Sequence, residues 1–259
     1  MLNFLNDLPL MLLTLPTILI SLSVHEASHA YAAYKLGDPT AKYAGRLTIN
    51  PIKHINLFGF ICMLFFRIGW ANPVPINPRN FKNSKKGMAI SAAAGPLSNL
   101  CLAIIFMLLL RLVIIPIDSM IENAYSFYIK NGNLEVELLP SVAENAGFIL
   151  LSLLALMFYL GALLNFNLML FNLIPLPPLD GSRIAHIFLP TNLYFKIMQY
   201  ERYIMIGFIV LLATGIISLP LNNITNNLSS LLFDILGISK ESFFVASENI
   251  MKKLPKFTF

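Results

Sequence analysis

Polar residues are scarce over long stretches of this chain, and those stretches mark out its elements. Apolar runs extend over roughly Leu8 to Tyr34, Met88 to Ile115, Gly147 to Ile174 and Tyr203 to Leu221. Each is long enough, at about 1.5 Å per helical residue, to cross about 30 Å of hydrocarbon. A fifth run, Leu57 to Gly69, is shorter and ends beside Arg67 and Trp70. It reads as re-entrant or interfacial, because a full crossing needs more residues. The pattern predicts an all-α membrane protein with about four transmembrane helices plus a re-entrant or interfacial segment near 45–69. Residues 1–221 are expected to form one polytopic membrane domain. From 222 to 259 the chain mixes Asn, Ser, Leu and Lys around the short apolar piece Leu228 to Ile238, which predicts an amphipathic surface tail.

Composition agrees. Hydrophobic residues make up 57% of the chain and charged ones 12%, outside the range of soluble globular domains. The net charge of +5 raises the question of nucleic acid. The basic residues, however, cluster in segments that flank apolar runs, which is the signature of membrane orientation. Lys42, Arg46, Lys53, Arg67, Arg79, Lys82, Lys85 and Lys86 lie between the first two spans, whereas 116–146 holds only Lys130. The positive-inside rule puts the first segment in the cytosol and the second outside, and Arg183, Lys196 and Arg202 return the third loop to the cytosol. The N-terminus carries Asp7 and no Lys or Arg before Lys35, unlike a cleavable signal peptide. Cys62 and Cys101 sit in apolar surroundings and read as small buried hydrophobes. Trp70 and the tyrosines near span ends fit an aromatic belt.

One stretch departs from the apolar background. His25-Glu26-Ala27-Ser28-His29 follows directly after Leu8 to Val24. On a helix, residues four apart share a face, so both imidazoles reach one Zn²⁺ with the intervening carboxylate beside the metal-bound water. Such groups next to lipid are costly unless they face a polar cavity or a metal. A catalytic zinc has typically three protein ligands and an open position. The third candidate is Asp180, in Pro177-Pro178-Leu179-Asp180-Gly181 at the end of the third span. The first and third spans run in the same direction, so their C-terminal ends lie at one depth. The plainer reading of Asp180 is an interfacial turn, and both hold if the turn aims the carboxylate. His54 would fill the open position as a fourth ligand, so a structural role is expected for it; His186 reads as a plain interfacial histidine. Asn165 and Asn167 are suited to interhelical hydrogen bonds, and Ser91 to Pro96 offers a small-residue surface for close helix packing.

With these residues in hand, the chain resembles the site-2 protease family, the M50-type intramembrane zinc metalloproteases, in its compact bacterial branch without PDZ or CBS modules. His25 to His29 resembles the first active-site motif, and Asn172-Leu173-Ile174-Pro175-Leu176-Pro177-Pro178-Leu179-Asp180-Gly181 the N-x-x-P-x-P-x-L-D-G motif. Ala94 to Asn99 and Gly69 to Pro78 match as well. Compact relatives often carry Asp-Pro where this chain has Asn56-Leu57. The resemblance implies a three-helix catalytic core, with one Zn²⁺ held by His25, His29 and Asp180 and with Glu26 as general base and acid. It also implies that Asn172 contacts substrate backbone, against the alternative of an interhelical hydrogen bond. The expected activity is an intramembrane endopeptidase acting on transmembrane proteins or peptides in a lipid bilayer, with no nucleic-acid partner and a homo-oligomer left open. The expected location is a bacterial inner or plasma membrane, with the site near the cytosolic side. The alternative is a non-catalytic scaffold or metal carrier that retains the fold. Retention of Glu26 beside three ligands argues against it.

Overall fold

Three of the apolar runs form single long helices in the structure, a computed structural model that describes residues 4–66, 71–122, 124–130, 133–214 and 218–253. The helices are α1 (Phe4–Lys35), α2 (Thr40–Tyr43), α3 (Pro51–His54), α4 (Leu57–Phe66) and α5 (Ser84–Ile121). A hairpin follows, of β1 (Tyr125–Lys130) and β2 (Asn133–Leu138). The remaining helices are α6 (Pro140–Ala143), α7 (Ala146–Asn172), α8 (Asp180–Ala185), α9 (Thr191–Gln199), α10 (Glu201–Ala213), α11 (Ser218–Ile235) and α12 (Lys240–Lys253).

Among the described residues, three helices are long and apolar enough to cross a membrane: Leu8–Lys35, Ser84–Ile121 and Ala146–Asn172. Much of their surface is lipid-compatible, with Leu12, Ile20, Ile105, Leu112 and Leu150 exposed. In hydrocarbon no water satisfies a free peptide group, so an apolar run closes its own ladder as a helix. Local chemistry sets where the helices begin and end. Asn145 Oδ1 accepts the Phe148 N–H at 3.1 Å and starts α7, and Pro175, Pro177 and Pro178 prevent its continuation. The expected fourth span is not one described helix. α10 has 13 residues, about 20 Å at the helical rise, and Thr214 is a turn.

The short run after α3 does not cross. Ile55 pairs with Ala71 in an antiparallel bridge, so the chain leaves with α4 and returns to the place it left. Arg67 and Trp70 lie outside the described residues, as does the side chain of Cys62. Cys101, expected to be buried, is exposed on α5; its neighbours there include exposed Leu97, Ile104 and Ile105, an apolar outer face that accepts a thiol as a small hydrophobe.

Contacts group the chain into two units. One comprises Ile18–Ala103 and Leu163–Leu228 and contains every residue of the candidate site. Its helices pack closely through Ala30, Ala33, Ala89 and Ala92, all essentially buried. Asn165 Nδ2 donates to Ser21 Oγ at 2.7 Å between α7 and α1. Thr225 Oγ1 donates to Asn167 Oδ1 at 2.8 Å between α11 and α7. The other unit comprises Met1–Thr17, Ile104–Ala162 and Ser229–Phe259. Within it β1 and β2 pair from Tyr125↔Leu138 to Lys130↔Asn133, and Tyr159 of α7 packs against Phe233 and Phe243. Of the segment 222–259 read as a tail, the described residues 222–253 are largely helical, and α12 buries Phe243, Ala246 and Ile250.

Candidate metal centre

The C-terminal part of α1 projects His25 and His29 from one face, as the four-residue spacing requires. Their Nε2 atoms are 3.0 Å apart, and each lies 3.1 Å from Asp180 Oδ2. Both histidines are buried, at 7% exposure each. Asp180 opens α8, and the turn before it is compact. A Cβ on Gly181 would lie 2.3 Å from Ile174 O and 2.5 Å from Leu173 O. Only glycine lets the chain double back tightly enough for Asp180 to face α1.

The other ring nitrogens settle the tautomers. His29 Nδ1 lies 2.7 Å from the Ser91 carbonyl, which only accepts, so Nδ1 carries the proton. His25 Nδ1 lies 3.1 Å from Asn99 Oδ1, giving the same assignment. Both Nε2 lone pairs therefore point inward, the arrangement that metal-ligating histidines need. The same helix supplies the space. A Cβ on Gly95 would come within 2.4 Å of His29 Cε1 and 2.6 Å of His25 Cε1. α5 can approach both rings only because that position has no side chain.

The donor set fits zinc. Two imidazole nitrogens and a carboxylate oxygen, with bonds near 2.0–2.1 Å in a tetrahedron, sit about 3.3 Å from one another. The observed separations of 3.0 to 3.1 Å are within a few tenths of that. Among the described residues, His25, His29 and Asp180 are the one group of at least three such side chains arranged to hold a metal. The chain matches the model of peptidase family M50 over residues 13–214.

The chain belongs to peptidase family M50. It is 41% identical over 198 residues to a Bacillus subtilis protein that carries the name zinc metalloprotease YwhC, covering 76% of this chain and 78% of that one. It is 28% identical over 128 residues to the Mycobacterium tuberculosis protein named zinc metalloprotease Rip2, covering 47% of this chain and 49% of the relative. No solved structure matches. Family and relatives make the protein a membrane-embedded zinc metalloprotease, with Zn²⁺ as its cofactor.

The remaining expected residues of this M50 chain fall as follows. The Glu26 carboxylate accepts the Val74 N–H at 3.0 Å. Asn172 Nδ2 donates to Leu168 O at 2.9 Å inside its own helix, leaving one N–H and Oδ1 for other partners. His54 is outside the donor group; its Nε2 donates to Thr48 O at 2.7 Å. Burial and the Lys85 ammonium push the His186 imidazole below its ordinary value. Ser91 and Gly95 were expected only as part of a helix-packing surface, and Asn99 and Val74 only as parts of family matches; none had an assigned part at the donor group. Ala94 to Asn99 was visible in the sequence as a family match, but nothing along the chain says that its asparagine faces an imidazole 74 positions away.

Proposed function

We propose that the protein is an intramembrane endopeptidase that hydrolyses peptide bonds within or near transmembrane segments of membrane proteins. The observation that carries this is the convergence of His25, His29 and Asp180, with Glu26 beside them in sequence, on helices apolar enough to lie in a bilayer. His25, His29 and Asp180 hold the zinc. Bound there, the ion supplies Lewis-acid polarisation and makes water more acidic. Glu26 takes the proton of the attacking water and delivers it to the departing amine nitrogen. Asn99 and the Ser91 carbonyl keep the two imidazoles oriented throughout.

A helical substrate seals its carbonyls in its own hydrogen bonds, so it must be extended before it is cut. A groove of about 330 Å³, lined by Val24, Ala27, Ser28 and Tyr31 on α1 and by Leu47, Thr48 and Ile49, supports binding of such a segment. Leu47 to Ile49 is non-helical and offers main chain for strand addition, and Asn172 has one N–H and Oδ1 for substrate backbone. The positive-inside count supports a cytosolic-side site in a bacterial inner or plasma membrane, with a fourth crossing over 203–221.

Purified protein in lipid nanodiscs, offered a fluorogenic transmembrane peptide, tests the reading. Glu26→Gln is expected to reduce cleavage about 10²- to 10⁴-fold with zinc content unchanged by elemental analysis. Cleavage by that variant at the wild-type rate would overturn it.

A further inference from the structure

The segment Ala71–Asn80 runs as a strap past the end of α1, and its hydrogen bonds go to a few fixed points. At one end the Asn72 N–H donates to His54 O at 2.7 Å, and Asn72 Nδ2 donates to Ile55 O at 2.9 Å. At the other end Asn77 N–H donates to Asp38 Oδ2 at 2.7 Å, and Asn80 Nδ2 donates to Asp38 Oδ1 at 2.7 Å. Midway, Val74 stands between Pro73 and Pro75, so its N–H is the single main-chain donor of that tripeptide. That donor is the one on the Glu26 carboxylate. The Val74 side chain is buried with Ala30 of α1 and Ala41 of α2.

Asp38 is the anchor. It is 0% exposed, an unusual place for a carboxylate unless its oxygens are fully engaged. Thr40 adds its N–H at 3.1 Å and its hydroxyl at 2.5 Å to the two bonds from the strap. Gly37, at φ 105°, turns the chain out of α1 so that Asp38 points back toward the strap. Asp38 lies well along the chain from the three metal-binding side chains and is absent from the group arranged to hold the ion.

We propose that Asp38 is a positioning residue for catalysis: it fixes the Ala71–Asn80 strap so that the Val74 N–H holds the Glu26 carboxylate in its working orientation. This rests on the reading of Glu26 as the proton carrier. Asp38→Asn keeps the size of the side chain but replaces a charged acceptor of four hydrogen bonds by an amide with one acceptor oxygen. Val74→Pro removes the N–H on Glu26 directly.

The test uses full-length protein in nanodiscs with a fluorogenic transmembrane peptide, with zinc content and hydrogen exchange of 71–80 measured on each variant. Asp38→Asn and Val74→Pro are each expected to lower kcat about 100-fold, with KM and zinc content within about twofold of wild type. The double variant is expected to be no slower than Val74→Pro alone, because both act through one contact. Exchange of 71–80 should rise at least tenfold in Asp38→Asn. Asn80→Ala, which removes one of the four donors, should move kcat and exchange in the same direction by less, and it carries the test if Asp38→Asn does not fold. A loosened strap with kcat within twofold of wild type, or multiplicative losses in the double variant, would overturn the proposal. If Glu26→Gln itself remains active, the reading of Glu26 fails instead, and the two failures are told apart.

Discussion

At the scale of single residues, the candidate metal site depends on groups outside the donor set of His25, His29 and Asp180. Asn99 and the Ser91 carbonyl decide which nitrogen of each imidazole keeps its proton. Without Asn99, His25 is free to change tautomer or swing away from Asp180. Outer partners of this kind contribute about 10- to 100-fold to metal affinity. Asn99→Ala is therefore expected to weaken zinc binding by that factor in competition titrations with a chelator, while thermal stability with zinc saturating stays near wild type. Unchanged affinity would mean that the Asn99 contact contributes nothing to the ligand set. His25, His29, Glu26 and Asp180 were legible as chemistry because polar residues in an apolar run need a reason. Asn99 was not, since one asparagine in a span is equally well explained by packing against another helix.

At the scale of elements, the connection between α1 and α5 combines an excursion and a strap. The Ile55–Ala71 bridge closes the excursion, and Asp38 closes the strap. Burial alone raises the Asp38 carboxyl, but hydrogen bonds from Thr40, Asn80 and Asn77 more than offset this and hold it below the ordinary value of 3.8. A group whose folded value is lowered stabilises the folded state above its unfolded value, and that contribution disappears as pH falls through the folded one. Protection of 71–80 against hydrogen exchange, corrected for the intrinsic rate, is thus expected to stay level from about pH 7 to pH 5. It should fall below about pH 4. In Asp38→Asn the fall should be smaller than in the wild type; protection of the wild type unchanged at pH 3 would refute this account. The sequence shows basic charge and a family match in this region but no anchor, because Asp38 meets Asn77 and Asn80 only after the intervening chain has looped out and back.

At the scale of the whole molecule, three helices long enough to span stand where the apolar runs predict them, and Lys35, Lys85 and Lys86 lie at the ends of two of them. With Cys62 and Cys101 replaced by serine, a cysteine at exposed Lys82 should react with an impermeant maleimide only from the cytosolic side. A cysteine at exposed Glu144 should react only from the opposite side. Labelling of both from one face would reverse the topology. The hairpin of β1 and β2 was legible but not read: Leu134, Val136 and Leu138 alternate with Glu135 and Glu137, and Asn131-Gly132 falls between the paired strands.

The amino-acid order alone determined that the chain lives in a membrane, where three of its long helices run and which residue types can bind zinc. These are local properties: solvation of a run of side chains, and the pitch that puts residues four apart on one face. Tertiary structure decided which distant groups complete the site. Gly95 brings α5 against the imidazoles, Gly181 folds Asp180 back toward them, and Val74 reaches Glu26 across 48 positions of chain. Such pairings depend on how helices and loops close in space, and no periodicity along the chain encodes the distance between two atoms that only folding brings together.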